Sequence, residues 1–166
     1  VKGYYSTLLM FPPNEQDLYK VLLVDIKAVN RDNQLRRGGA VLQSIVANHN
    51  RELQLIRSQV GLHDAFIWLT FDFNRDARGN KSVQESFAGT VVHDGREMIG
   101  TLPSGLLWFY LADGKGKQAA VVPEAIAQIK QPLLPVRETR VVNSVKCLEC
   151  HLSGINDFAD VISKSV

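Results

Sequence analysis

The sequence predicts an α+β fold: an antiparallel meander sheet, an N-terminal helix before it, and a C-terminal segment carrying both cysteines of the chain. Three observations lead there. Leu18, Val21, Leu22, Ile26 and Val29 recur at helical spacing behind a capping residue, Asn14. Later runs of aliphatic and aromatic residues are separated by the turn signals Asp94-Gly95 and Asp113-Gly114. Near the end, Cys147-Leu148-Glu149-Cys150-His151 gathers two thiols and an imidazole within five residues.

In chain order, residues 4–11 read as a short aromatic and aliphatic strand stopped by Pro12-Pro13, since proline cannot continue a central ladder. Asn14 then caps a helix, with Asp17 three residues on as in a capping box, and the stripe from Leu18 to Val29 is assigned to the core. The polar run 30–39 is expected to be a loop. Residues 40–58 divide: Val41, Leu42, Ile45 and Val46 fit a helix, while Leu53-Gln54-Leu55 alternates like a strand. His49, inside Asn48-His49-Asn50-Arg51, reads as a solvated turn residue. Residues 65–73 are aromatic on both faces, which suggests a central strand covered on each side.

A polar loop through Ser86 and a strand over 87–93 come next. The first hairpin is expected to turn at Asp94-Gly95, and the second to turn the apolar run 106–111 through 113–117 into 119–122, with Leu102-Pro103-Ser104-Gly105 joining the two. The result is a meander of about four strands. Pro123 opens a short helix over 123–128, Pro132 and Pro135 keep the following chain extended, and 156–164 can close the fold as a helix. The 166 residues are enough for one core, so 1–166 is read as a single domain.

Composition excludes some functions. With 19 basic residues against 17 acidic and no basic block, a dedicated nucleic-acid binder is not expected, and Arg36-Arg37 reads as solvated surface. The longest apolar run, 106–112, is strand-sized, so no transmembrane segment is expected in this chain.

Cys147-x-x-Cys150-His151 has the spacing of c-type haem attachment. Each thiol adds to one vinyl group on the porphyrin edge, and the following histidine reaches the iron, so one short loop would hold one covalent haem c. Two other readings use the same residues. Half a zinc site would have to recruit two of His49, His63, His93 and His151; a thioredoxin-like pair belongs early in a βαβ pattern, which is missing here. Thioether attachment occurs outside the cytoplasm, so a periplasmic or otherwise extracytoplasmic setting is expected, with an export signal or anchor removed.

Several stretches carry a family likeness: Trp68-Leu69-Thr70-Phe71-Asp72-Phe73, the run from His93-Asp94-Gly95-Arg96-Glu97 to Leu102-Pro103-Ser104-Gly105-Leu106, Ala112-Asp113-Gly114-Lys115-Gly116-Lys117, and Val142-Asn143-Ser144 leading into the haem motif. Together they resemble a family of exported bacterial c-type cytochrome domains with a sheet segment before a late haem motif. The likeness covers roughly residues 40–156 and departs from the family pattern at Arg96, Ser104 and Ser144. It implies an exported haem domain of electron-transfer type, often part of a larger protein, and supplies no substrate. A β-rich body with a C-terminal Cys-x-x-Cys-His also resembles cytochrome P460 and the β-type cytochrome c′.

Function then turns on the sixth iron position. His93 is the first candidate ligand, at a strand end and on the histidine of the resembling turn; Met98, His63 and His49 follow, then Met10 and the lysines, and an open or water-bound site completes the set. Trp68, Trp108, Phe109 and Tyr110 form an aromatic set that could wall the porphyrin, with Trp108 and Tyr110 taken as its contacts. Arg137, Arg140 or Lys146 could meet the propionates. The expected function is a monohaem c-type domain carrying single electrons between redox partner proteins. The alternatives are an open-site haem enzyme or gas sensor, and a haem-bearing subunit of a larger complex.

Overall fold

A computed structural model describes residues 4–31, 35–40, 50–60, 63–73, 83–89, 92–122, 140–157 and 160. Its elements are helices α1 (Tyr4–Leu8), α2 (Glu15–Val21) and α3 (Ile26–Arg31), strands β1 (Leu35–Ala40), β2 (Asn50–Val60) and β3 (His63–Phe73), helix α4 (Val83–Phe87), strands β4 (Gly95–Thr101) and β5 (Leu107–Asp113), and helix α5 (Val145–Cys150). The strands form one sheet in the order β1-β2-β3-β4-β5, every neighbouring pair antiparallel. An antiparallel meander is therefore present, with five strands; of the four runs expected to build it, 97–99 and 106–111 lie in β4 and β5, the other strands come from earlier in the chain, and the aromatic run in β3 is the central strand.

Asn14 starts α2 as its chemistry dictates. Its side-chain oxygen accepts the Asp17 amide at 2.9 Å, and its amide group donates to the Asp17 carboxylate at 2.7 Å. The single helix expected through Val29 is instead two. Leu23 takes a left-handed conformation at φ 54°, with Val24 N–H bonded to Tyr19 O and Leu23 N–H to Lys20 O, a Schellman-type end that closes α2. Asp25 restarts the chain by accepting the Lys27 and Ala28 amides. The break rotates the stripe: Leu18 and Val29 stay buried, whereas Val21 is 63 % exposed.

Register sorts the sheet into two faces, because side chains alternate along each strand. The first face carries Ile56 of β2, Ile67 and Leu69 of β3, Met98 of β4, and Trp108 and Tyr110 of β5, which pack with Leu18, Val24 and Val29 of the helical layer into the main core. Gly100 opposes Trp108 there, and a Cβ on it would collide with the indole ring, so only glycine fits. The second face carries Leu55 of β2, Trp68 of β3, Ile99 of β4, and Phe109 and Leu111 of β5, and a smaller cluster of Leu111, Val122 and Val141 packs there with Cys147.

Four further expectations are corrected. Residues 4–8 are helical because the outer edge of β5 leaves no place for a strand: the Phe109 amide donates to the Tyr5 hydroxyl at 3.0 Å, and Ala119 N–H bonds Leu111 O. The polar run 30–39 contains β1, whose Arg36 and Arg37 face opposite sides. Phe87 ends helix α4 rather than starting a strand. Asp94-Gly95 makes no hairpin; Gly95 opens β4 opposite Asp72, and the hairpin is the β4–β5 connection at 102–106. The turn at 113–117 is present, but its return makes only bridges, Ala112 with Gln118 and Val121 with Val142. The expected helices in 41–49 and 123–128 and the extended run around Pro132 and Pro135 lie outside the described residues, as does most of 156–164. Among the described residues no helix is long and apolar enough to cross a membrane.

Two substitutions test these assignments by urea unfolding. Leu23→Gly is expected to stabilise the protein by about 1 kcal/mol, because it relieves the left-handed strain and removes a side chain that is 74 % exposed. Gly100→Val is expected to lower stability by at least roughly 1–3 kcal/mol through overpacking against Trp108.

Candidate cofactor-attachment site

The motif expected in a loop is helical. Leu148 N–H bonds Ser144 O and His151 N–H bonds Cys147 O, both at 2.9 Å, so Cys147, Cys150 and His151 stand at i, i+3 and i+4 along one stripe of α5 and its C-cap. The neighbouring stripe anchors the helix. Lys146 Nζ and Glu149 Oε2 pair at 2.8 Å, with both side chains no more than 2 % exposed. Removing one partner would leave a buried charge uncompensated, at a cost of about 3–5 kcal/mol. Lys146, one of the expected propionate contacts, is thereby held by Glu149 within α5.

His151 is oriented by its own turn. Its Nδ1 lies 2.9 Å from the Gly154 carbonyl oxygen, an atom that only accepts, so Nδ1 carries the proton and Nε2 presents its lone pair. Gly154 supplies that carbonyl at φ 109°, a backbone region that favours glycine. The ring sits 5.9 Å from that of Phe109. Cys147 and Cys150 are free thiols, both half-buried. Burial pushes the Cys147 thiol up to about 12, with the Glu97 carboxylate adding to the shift and the Ser144 amide opposing it. Cys150 is raised by burial and then by Glu149 and Glu97.

Other side chains gather around this stripe. Burial raises the phenol of Tyr5, whose hydroxyl closes the β5 edge; the Phe109 amide opposes that shift and the neighbouring Cys147, when ionised, adds to it. Glu97 belongs to a charged trio: Arg51 meets Asp72 at 2.6 Å and Glu97 at 3.4 Å. Burial raises the Asp72 carboxyl to about 6 against the pull of Arg51. Asn143, just before α5, is 6 % exposed, and neither polar atom of its side chain has a hydrogen-bond partner.

The expected contacts separate. Trp108 and Tyr110 face the main core, where Phe11 packs edge-on against their rings at 5.5 and 5.7 Å. They lie across the sheet from Cys147; the β5 residues on its side are Phe109 and Leu111. His93 is also across the sheet. Its ring packs on Phe71 and Phe73 at 4.8 and 6.1 Å, and its Nε2 lies 3.0 Å from Ser86 Oγ. Ser86 donates its one proton to Glu52 Oε2 at 2.5 Å, so its oxygen accepts from His93 Nε2–H. Arg37 completes this second cluster through Glu52. Met98 is buried in the main core. Thus neither His93 nor Met98 shares a face with His151. His49 and Arg137 lie outside the described residues, as does the side chain of His63, while Arg140 is half-buried two residues before Val142.

Sequence reading placed Phe109 in the aromatic set but took Trp108 and Tyr110 as the contacts, and it missed Leu111, because residues 107–112 are apolar without a break and such a run does not disclose which side chains share a face. Gly154 carried a usable signal, a glycine three residues past the histidine of the motif. The nearness of Tyr5 and Glu97 to Cys147 follows only from long-range packing.

Among the described residues, no group of three or more histidine, cysteine, aspartate and glutamate side chains converges as a single-ion site. Two thiols and a directed imidazole spread along one helical stripe suit a group attached at separate points. Comparison with models of protein families, with curated proteins and with solved structures finds no match.

The raised thiols and phenols predict alkaline lability of the chain with free thiols. Burial lifts Cys147 and Tyr110 to about 12, whereas in the unfolded chain they ionise near about 8.5 and about 10. Their contribution is therefore complete below about pH 8.5 and is lost as pH rises toward about 12. The urea midpoint should fall steadily between about pH 8 and about pH 11; a flat profile would contradict the burial.

Proposed function

We propose that this chain carries one covalent haem c, bound through Cys147 and Cys150 with His151 as axial ligand, and moves single electrons between redox partner proteins outside the cytoplasm. The observation that carries the reading is the His151 hydrogen bond to Gly154 O: it fixes the tautomer that leaves Nε2 as donor, on the same stripe as the two thiols. Haem when bound supplies one-electron redox chemistry at its iron. The chain's own residues prepare the site. Lys146 and Glu149 hold α5 in register, Gly154 sets the imidazole, and the buried Phe109 and Leu111 back the stripe with apolar packing. Asn143, buried with both polar atoms unpartnered, suits a polar group of the cofactor.

A second reading, an open-site haem enzyme or gas sensor, is favoured by one specific observation. His93 and Met98, the leading candidates for the sixth position, lie on the opposite face of the sheet. With a ligand from elsewhere in the chain the iron is closed and electron transfer follows; with none, small molecules have access.

The test is to produce the chain with haem-attachment machinery and read its spectrum. Colour that survives denaturation is expected, and the Cys147→Ala/Cys150→Ala double variant should lose it. Persistence of covalent colour in that variant would refute the assignment, as would a colourless parent chain. Reduced spectra with and without CO separate the two readings: sharp low-spin bands indifferent to CO indicate electron transfer, and a CO-induced shift indicates the open site. His93→Ala and Met98→Leu should leave the haem spectrum unchanged, whereas His151→Ala should alter it.

A further inference from the structure

We infer that the haem lies flat against the second face of the sheet, over Leu55, Trp68 and Ile99, with its attached edge beside the buried Phe109 of β5 and its opposite edge toward β1. This rests on the function proposed above and adds the surface that takes the ring.

The row is built by register. Leu55 pairs with Trp68, Trp68 with Ile99, and Ile99 with Phe109, so four apolar side chains on four adjacent strands stand side by side on one face. Three strand spacings of about 4.8 Å make this row roughly 14 Å long, the scale of a flat macrocycle with its substituents. Its Phe109 end is where the attachment groups stand, with the His151 ring 5.9 Å away and Cys147 packed on the adjacent Leu111 cluster. The neighbouring row along the strands is mixed, Leu53, Thr70, Glu97 and Leu111, and the next is polar, with Arg51, Asp72, Gly95 and Asp113. The apolar row is thus bounded on one side by charge.

The two faces are finished differently. On the first, Ile56, Ile67, Leu69, Met98 and Tyr110 are no more than 1 % exposed beneath the helical layer. On the second, Leu53, Leu55, Trp68 and Ile99 are only half-buried and Phe66 is 46 % exposed, whereas Phe109 at the attachment end is already covered, at 1 % exposure. The occupant is fixed by continuity with the attachment stripe: a ring tethered at Cys147 and Cys150 meets this row first.

Chain connectivity agrees. His151 stands over β5, while the Asp160 carboxylate accepts the Gly39 amide of β1 at 3.0 Å. The chain thus passes from the β5 side of the sheet at His151 to its β1 edge at Asp160. At the far end of the row, Arg36 of β1 pairs with Leu55 and is exposed. Propionates leave the porphyrin edge opposite the vinyl groups, so a ring attached at β5 sends its carboxylates toward this cation.

The two tryptophans give the readout, since Trp68 lies on the second face and Trp108 on the first. Two-dimensional NMR of the wild-type holoprotein, with diamagnetic reduced haem, is compared with the haem-free Cys147→Ala/Cys150→Ala variant. The expected result is a large ring-current shift of the Trp68 indole N–H and of the Leu55 and Ile99 methyls, with Trp108 and the Leu69 methyls little moved. Covalent haem with shifts confined to other residues would overturn the inference and leave the proposed function standing. Haem-free wild-type protein would overturn both. Concentration-dependent shifts of the same methyls in the haem-free variant, without haem-induced ones in the holoprotein, would assign the face to a second copy of the chain and overturn the inference. Arg36→Glu is a second, independent measurement: attachment should persist while the reduction potential shifts, and an unchanged potential would remove Arg36 from the account.

Discussion

Alternation of side chains across strands β4 and β5 is the constraint on which the rest of this structure depends. Successive residues must point to opposite faces of a sheet. In β5 this sends Trp108 and Tyr110 to the helical layer and Phe109 and Leu111 to the attachment helix. In β4 it sends Met98 to the first face and Glu97 and Ile99 to the second. A shift of one residue in either strand would exchange these sets and bring tryptophan, tyrosine and methionine under the cysteines. Gly100 opposes that exchange, because its missing side chain is the space the Trp108 indole fills.

Charges reinforce the same arrangement at several places. Arg51 links β2 to Asp72 of β3 and Glu97 of β4 on the second face, while Arg37 links β1 to Glu52 of β2 on the first. Arg96 of β4 pairs with Glu15 at the start of α2, tying sheet to helical layer. Most of these groups are buried or nearly so, and desolvation takes back much of what their attraction contributes. Their effect lies in specificity: a slipped strand would leave a charge buried without its partner, so each pair penalises the wrong register more than it stabilises the right one.

Some of this was legible in the sequence for good physical reasons. Asn14 with Asp17 three residues on gave the start of α2, because capping is local chemistry. The alternating Leu53-Gln54-Leu55 and the dense aromatic run of β3 gave strands, and β3 is the central one. The end of α2 was not legible, because a Schellman-type turn normally announces itself with glycine and here uses Leu23. Asp94-Gly95 misled in the opposite direction: a strong hairpin dipeptide serves as the first residues of a strand paired with Asp72, since the longer connection through α4 had already reversed the chain. Residues 4–8 had the composition of a strand and form a helix because the β5 edge is closed by the Tyr5 hydroxyl and the return segment near Ala119.

The sequence by itself determined which groups stand together on the α5 stripe. Two thiols and an imidazole at i, i+3 and i+4, with a glycine three residues later, act through bonds and hydrogen bonds confined to one helix turn, so no distant residue is needed to read them. Tertiary structure alone decided their surroundings. Which aromatic of Trp108-Phe109-Tyr110 faces the cysteines, and on which side of the sheet His93 stands, depend on register between strands far apart in sequence. An unbroken apolar run carries no parity of its own; only the partners on each face, helices on one side and the cysteine helix on the other, give it one.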